Sequence, residues 1–205
     1  MRMRSNYLWL IAALLLTGCA GTPNNIDNTL QEKVEQDAQA EIDARNPDMS
    51  AAINALNDGK PIVAKALLLG LTQRFPLAAK PWVNVGLISF RRGDLDRAQQ
   101  AAEKALELQP EITVAEYLLG LIAHKKNDAP KALAHYLAEL EKNEQHAHSH
   151  YNLALLYDTY YQDLDKAIFH YQRYLALIPD DDEATSSWVK ELESQLVPEG
   201  GGDAS

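Results

Sequence analysis

The sequence predicts an all-α protein, a solenoid of about four stacked helical hairpins closed by a C-terminal capping helix. The first observation is composition, because 46% of the 205 residues are hydrophobic and the helix formers alanine and leucine dominate. The second is spacing, because small residues and prolines recur every 34 residues through most of the chain. The third is the end of this pattern, where an amphipathic stretch follows three acidic residues.

The repeat is clearest between positions 79 and 112. Its markers are Trp82, Gly86, Gly93, Asp94, Ala98, Ala105 and Pro110. A step of 34 residues brings Gly86 onto Gly120 and Ala98 onto Ala132, and a further step reaches Ala154. The next markers fit after one inserted residue near positions 160–163. This pattern resembles the tetratricopeptide repeat, which implies a helix–turn–helix unit that stacks on its neighbours.

The marker residues have physical reasons. Small residues at Gly86, Gly120 and Ala154 allow one helix of a hairpin to approach the other closely. Gly93-Asp94 is a turn sequence that reverses the chain, and proline ends the second helix because it cannot continue one. A single hairpin buries too little apolar surface to be stable alone, so neighbouring units are expected to share a core.

The repeats divide the chain into segments. The expected order is a signal peptide (1–18), a polar tether (19–44), the repeat array (45–181), a capping helix (182–197) and a flexible tail (198–205). Within the array the units fall at about 45–78, 79–112, 113–146 and 147–181. The tether carries a thin apolar stripe at Ile26, Leu30, Val34, Ala38 and Ile42. A helix over about 28–44 and a solvated tether both fit that stripe.

The N-terminus has the features of a secretory signal. A basic start is followed by ten apolar residues from Tyr7 to Leu16, too few to span a bilayer. The sequence Leu16-Thr17-Gly18-Cys19 resembles the lipobox of bacterial lipoproteins, which implies cleavage before Cys19 and lipidation of its thiol. Ala20 in turn implies an outer-membrane destination, where we expect the protein to face the periplasm. The alternative is an ordinary secretory signal with an unmodified cysteine.

Composition and motifs argue against several classes of function. With 29 acidic and 19 basic residues the net charge is −10, which is unsuited to nucleic acid. A single cysteine allows no internal disulfide and no cysteine-based metal cage. The sequence contains no glycine-rich phosphate loop and no nucleophile elbow. We therefore predict that the protein is not an enzyme and uses neither a cofactor nor a small-molecule substrate.

The resemblance to the tetratricopeptide repeat implies a binding groove. In that family the first helix of each unit lines a concave face that takes a protein segment. The positions that correspond here are Val83, Leu87, Phe90, Arg91, Tyr117, Leu121, His124, Lys125, Tyr151 and Leu155. They are mostly apolar and aromatic, so the carboxylate clamp of one subfamily is not expected. Residues 28–44 or the C-terminal helix could instead fill this groove in cis.

Two further predictions concern partners and metals. We expect an envelope protein or peptide segment as partner, and two alternatives are open for the role. One is a pilotin-like assembly factor for type IV pilus secretins, and the other is an adaptor for cell-wall hydrolases or transport complexes. The alternating His146, His148 and His150 are weak candidates for metal ligands, because in the repeat phase they straddle a loop and a helix start.

Overall fold

The computed structural model describes residues 47–196, and this part of the chain contains helices and turns but no strand. Its α-helices are α1 (Pro47–Asn57), α2 (Pro61–Arg74), α3 (Ala79–Arg91), α4 (Leu95–Leu108), α5 (Thr113–Lys125), α6 (Ala129–Lys142), α7 (Ala147–Leu156), α8 (Leu164–Leu177) and α9 (Glu183–Leu196). The predicted all-α class is therefore confirmed. The predicted signal peptide, Cys19, the 28–44 segment and the tail lie outside the described residues.

Successive helices pair as hairpins, α1 with α2, α3 with α4, α5 with α6, and α7 with α8. Each hairpin also packs on the next one, and α9 packs on α8. The buried side chains form three groups, each shared between neighbouring hairpins. Cohesion therefore comes from contacts between neighbours, as in an α solenoid. None of the helices in 47–196 has both the length and the apolar sequence needed to cross a membrane.

Each hairpin reverses at one residue with a positive φ angle. These residues are Gly59 (71°), Gly93 (78°), Asn127 (58°) and Gln162 (54°). In the last three turns the next residue is an aspartate, whose side chain accepts a hydrogen bond from the backbone N–H three positions later. A left-handed residue and a helix N-cap therefore recur together, and they set the spacing of the hairpins.

The fourth hairpin differs from the others by a π-helical turn. Helix α7 runs directly into a π-helix at Tyr157–Tyr161, and Gln162 then adopts the left-handed conformation. The sequence predicts one inserted residue close to this place. A π-helical turn holds one more residue than an α-helical turn, so the hairpin accepts the insertion and keeps the capping aspartate, Asp163.

Small residues in the first helices permit close packing, both between neighbouring hairpins and inside a hairpin. A β-carbon added at Gly86 would lie 2.8 Å from Cδ2 of Leu118. One added at Gly120 would collide with the ring of Tyr136, which is completely buried. Ala154 is also fully buried. These positions therefore bring the helices too close together for a larger side chain.

Candidate protein-binding groove

Two cavities in the described part of the chain are lined by predicted groove residues of the first helices. The larger one, of about 470 Å³, lies between α1, α3 and the start of α5. Its lining residues are Met49, Ser50, Ile53, Lys80, Val83, Asn84, Leu87, Ile112 and Val114. The structure thus brings two of the predicted groove residues, Val83 and Leu87, to one cavity.

This cavity is suited to apolar side chains. Ile53 and Val114 are each 46% exposed, although both are large hydrophobic residues. Val83 is 5% exposed, because it also packs into the core between the second and third hairpins. It therefore forms the floor of the cavity, and Leu87 is the more accessible of the two predicted residues. An apolar side chain entering here would lose contact with water on several sides.

The middle of the predicted groove is more tightly packed. The ring of Tyr117 stands edge-on to His146, with 4.6 Å between ring centroids. Asn152 Nδ2 donates to the Tyr117 hydroxyl at 3.4 Å, and burial raises the pKa of this tyrosine above its ordinary value. Leu121 packs against the core group of the third and fourth hairpins. Both side chains are half-buried, so this region holds the helices together and offers a partner only part of its surface.

The second cavity lies at the C-terminal end of the array and measures about 300 Å³. Two of the predicted groove residues, Tyr151 and Leu155 of α7, line it together with Trp188 of α9. The indole Nε1 of Trp188 donates to Oδ2 of Asp158 at 2.8 Å. Helix α9 therefore contributes one wall of this cavity and leaves space beside it.

Four of the predicted groove residues lie at the ends of α3 and α5. Phe90 packs partly against the core between the second and third hairpins, and His124 is partly buried. Arg91 and Lys125 are exposed. None of these four lines either of the two cavities. They form the rim of the first helices, where basic side chains face solvent.

The three alternating histidines do not converge on one point, although the rings of His146 and His148 meet edge to face with centroids 6.0 Å apart. His150 points into the fourth hairpin, where its Nδ1 lies 2.9 Å from Nδ1 of His170 and its Nε2 lies 3.1 Å from the Glu144 carbonyl oxygen. His146 Nδ1 lies 2.9 Å from Ser149 Oγ, and His148 is exposed. Within residues 47–196, no three side chains of the metal-binding types converge. The helical phase buries His150 at a packing position, and this separates the candidate ligands.

The buried contact between His150 and His170 lowers the pKa of both imidazoles. Burial first, and then the neighbouring His150, lower the pKa of His170 to about 4. Burial also lowers the pKa of His150, which is 6% exposed. His170 stacks on Tyr157, with 5.6 Å between centroids and 10° between planes. Both imidazoles are therefore neutral at pH 7 and serve as packing groups.

Most lining residues of the two cavities were not predicted from the sequence, and three of them come from the ends of the described array. Met49 and Ile53 belong to the first hairpin, which matches the repeat pattern poorly. Trp188 belongs to α9, which follows the last repeat and has no equivalent in it. The apolar stripe of α9 could have indicated that Trp188 lies near the array, but it gives no position along the groove.

Comparison with known proteins decides the family. The family model of the tetratricopeptide repeat matches residues 49–111, 90–147 and 117–182, which together cover most of the chain. The chain belongs to the tetratricopeptide repeat family. Members of this family bind protein partners and are generally scaffolds without catalytic activity, so a protein partner is the coarse function that the family supports. A comparison with curated proteins found no match.

Solved tetratricopeptide repeat structures share the fold. MamA (residues 41 to the end) from Desulfovibrio magneticus RS-1 is 24% identical, with a TM-score of 0.58, over 73% of this chain and 95% of that one. A tetratricopeptide repeat protein from Parabacteroides merdae is 19% identical, with a TM-score of 0.61, over 73% and 60% of the two chains. Another MamA structure is 19% identical, with a TM-score of 0.61, over 74% and 84%.

Proposed function

We propose that this tetratricopeptide repeat protein is a lipid-anchored scaffold of the bacterial envelope, which binds a segment of a partner protein in the groove of its first helices. The observation that carries the proposal is the apolar cavity between α1, α3 and α5. It is about 470 Å³ in volume, and the large hydrophobic residues Ile53 and Val114 at its edge remain about half exposed. Exposed apolar surface inside a concavity is typical of a binding site.

The shape of the groove favours an extended or helical segment. Helices α3, α5 and α7 stand in successive hairpins, so a segment that crosses them meets each one in turn. Apolar anchors enter the first cavity, and the half-buried aromatic residues in the middle contact the segment from one side. The scaffold then acts by holding its partner in place.

Lipid anchoring is the second part of the proposal and rests on the sequence that ends at Cys19. A diacylated cysteine with an amide-linked chain supplies several acyl chains, and a stable anchor needs more than one. Confinement to the outer membrane would raise the effective concentration of the scaffold near envelope partners. Replacing Cys19 by alanine is expected to release the protein into the soluble fraction. If Cys19→Ala stays in the membrane fraction, the proposal of a lipid anchor at Cys19 is wrong.

The groove is tested by cross-linking in membranes, followed by identification of the captured protein. The double variant Leu87→Asp and Tyr117→Ala is expected to lose the cross-linked partner, while far-UV circular dichroism shows unchanged helicity. The matched control is Leu137→Asp, because Leu137 is 43% exposed on α6 and lines neither cavity. A partner that is captured equally well by the folded double variant would show that the groove is not the binding site.

The identity of the captured protein separates two finer roles. A pilotin-like role requires a type IV pilus secretin among the captured proteins, and secretin multimers should disappear when the gene is deleted. An adaptor role requires cell-wall hydrolases or transport components, with secretin multimers unchanged. Both roles use the same groove and the same anchor, so the partner distinguishes them.

A further inference from the structure

The cavity at the C-terminal end of the groove has aromatic walls around a carboxylate. Tyr151 and Tyr171 meet edge to face, with ring centroids 5.7 Å apart and planes at 71°. Trp188 closes the opposite side from α9 and is 45% exposed, which leaves the cavity open to solvent. Asp158 of the π-helical turn lines the same space of about 300 Å³.

The carboxylate of Asp158 has neutral hydrogen-bond donors and no basic partner among residues 47–196. Its Oδ2 accepts from Trp188 Nε1 at 2.8 Å and from the Tyr171 hydroxyl at 3.5 Å. None of the ion pairs found in the described part of the chain includes Asp158. The two donors fix the orientation of the carboxylate without neutralising its charge.

The negative charge of Asp158 affects a neighbouring side chain that lines the cavity. The pKa of Tyr171 is raised well above its ordinary value, first by burial and then by the charge of Asp158. Aromatic faces are themselves negative, so these walls reinforce the field of the carboxylate. A positively charged group is attracted to such an enclosure by both sources, whereas an anion is repelled.

We propose that this cavity, formed by Tyr151, Asp158, Tyr171 and Trp188, binds the ammonium or guanidinium group of a lysine or arginine side chain. The aliphatic stem of that side chain would lie against Leu155, and its head would reach Oδ1 of Asp158. That the cation belongs to the partner segment rests on the proposed function, but the chemistry of the cavity does not. The partner would then carry an apolar anchor for the first cavity and a basic residue for this one.

The cavity is tested directly by NMR on the full chain labelled with ¹⁵N-tryptophan. The chain has three tryptophans, and the variant Trp188→Phe assigns the indole signal of Trp188. Because this N–H donates to Asp158, its chemical shift reports on a cation bound there. Titration with N-acetyl-lysine methylamide is expected to change the chemical shift of this signal until the site is saturated. The neutral N-acetyl-norleucine methylamide should leave the chemical shift unchanged. An equal response to both probes, or to neither, overturns the proposal.

A charge-removing variant provides the second test. Asp158→Asn keeps the size of the side chain and an oxygen that accepts from the indole, so the fold should persist. It is expected to weaken binding of the lysine probe at least tenfold. The matched control Asp165→Asn removes an exposed carboxylate of the same hairpin that does not line the cavity, and it should bind like the wild type. Unchanged probe affinity in Asp158→Asn would refute the role of the carboxylate.

The source of the cation is tested with the cross-linked partner. Substituting the basic residues of its bound segment with glutamine, one at a time, should reveal one position that lowers affinity for the wild-type chain but not for Asp158→Asn. If no position does so, the cation does not come from the partner. If the lysine probe still binds the double variant Leu87→Asp and Tyr117→Ala, which is expected to lose its partner, the cavity binds cations independently of the rest of the groove. If the lysine probe does not bind while the partner is still captured, the proposed cation site is wrong and the proposed function is unaffected.

Discussion

At the scale of single residues, the glycines inside the helices of the array occupy two kinds of environment. Gly120 lies against the buried ring of Tyr136, and an added β-carbon would overlap ring atoms that have no room to move. Gly70 lies in α2 with no atom within 4 Å of an added β-carbon. The same substitution therefore has opposite consequences at the two sites.

Gly120→Ala is expected to lower the free energy of unfolding by about 2–3 kcal/mol, because the core must open to admit the methyl group. Gly70→Ala is expected to raise it by about 0.5–1 kcal/mol, since alanine loses less backbone freedom in a helix. Urea unfolding followed by circular dichroism at neutral pH measures both. Equal effects at the two glycines would contradict the close approach of α5 and α6 at Tyr136.

The buried histidine pair predicts a pH dependence. A base whose pKa is lowered by folding binds its proton more readily in the unfolded chain, so stability falls as the pH drops from about 6.5 towards 4. Near His150, Glu139 opposes this effect, while Arg173 and His146 reinforce it. We expect a loss of roughly 2 kcal/mol by pH 4.5, measured as the urea midpoint at each pH. The loss should be much smaller in His170→Asn and unchanged in His148→Asn, whose imidazole is exposed.

At the scale of elements, an aspartate N-cap precedes the second helix of each of the last three hairpins. The aspartates Asp94, Asp128 and Asp163 accept from the backbone N–H three residues on, at 3.3, 3.2 and 3.1 Å. Each also pairs with the basic side chain at that position. The pKa of Asp128 is lowered, chiefly by its hydrogen bond with the Lys131 side chain.

The cap matters more than the ion pair, because the pair is exposed to solvent. Asp128→Ala removes both the cap and the ion pair and is expected to lower the unfolding temperature measurably. Asp128→Asn keeps a capping oxygen and loses only the exposed ion pair, so its unfolding temperature should fall much less than that of Asp128→Ala. Thermal unfolding of the two variants at one salt concentration shows whether the cap or the ion pair contributes more to stability. Equal losses would assign the stabilisation to the charge.

The sequence could predict these elements but not every detail of them. The recurrence of Gly93-Asp94 and Asn127-Asp128 indicates the turns, because few residue pairs suit a left-handed turn followed by a cap. One inserted residue could likewise be counted. The inserted residue is accommodated as the π-helix Tyr157–Tyr161. This conformation depends on how α7 and α8 pack, and a local sequence pattern does not predict that packing.

At the scale of the whole molecule, the groove was partly predictable for a similar reason. Once the core-facing side of a repeat helix is known, its phase fixes the residues that face the groove, and Leu87, Tyr151 and Leu155 do line cavities. Ile53 and Trp188 come from elements at the two ends of the described array, where the repeat pattern is weak or absent. Their contribution depends on three-dimensional packing.

The stacking of the array also predicts which hairpins a destabilising substitution at one end should affect. Leu192 of α9 is 1% exposed and packs into the core group of the third and fourth hairpins, whereas Leu196, one turn later, is 43% exposed. Leu192→Asp buries an unpaired carboxylate and is expected to cost at least about 3 kcal/mol, so α9 should undock. Leu196→Asp should change stability by less than about 0.5 kcal/mol.

Hydrogen exchange measured by mass spectrometry locates the effect of Leu192→Asp. Because each hairpin packs chiefly on its neighbours, protection is expected to fall in α7, α8 and α9 and to persist in α1 to α4. Leu196→Asp should leave the pattern of the wild type. If Leu192→Asp lowers protection equally from α1 to α9, residues 47–196 unfold as one cooperative unit, and stability cannot then be divided among the hairpins.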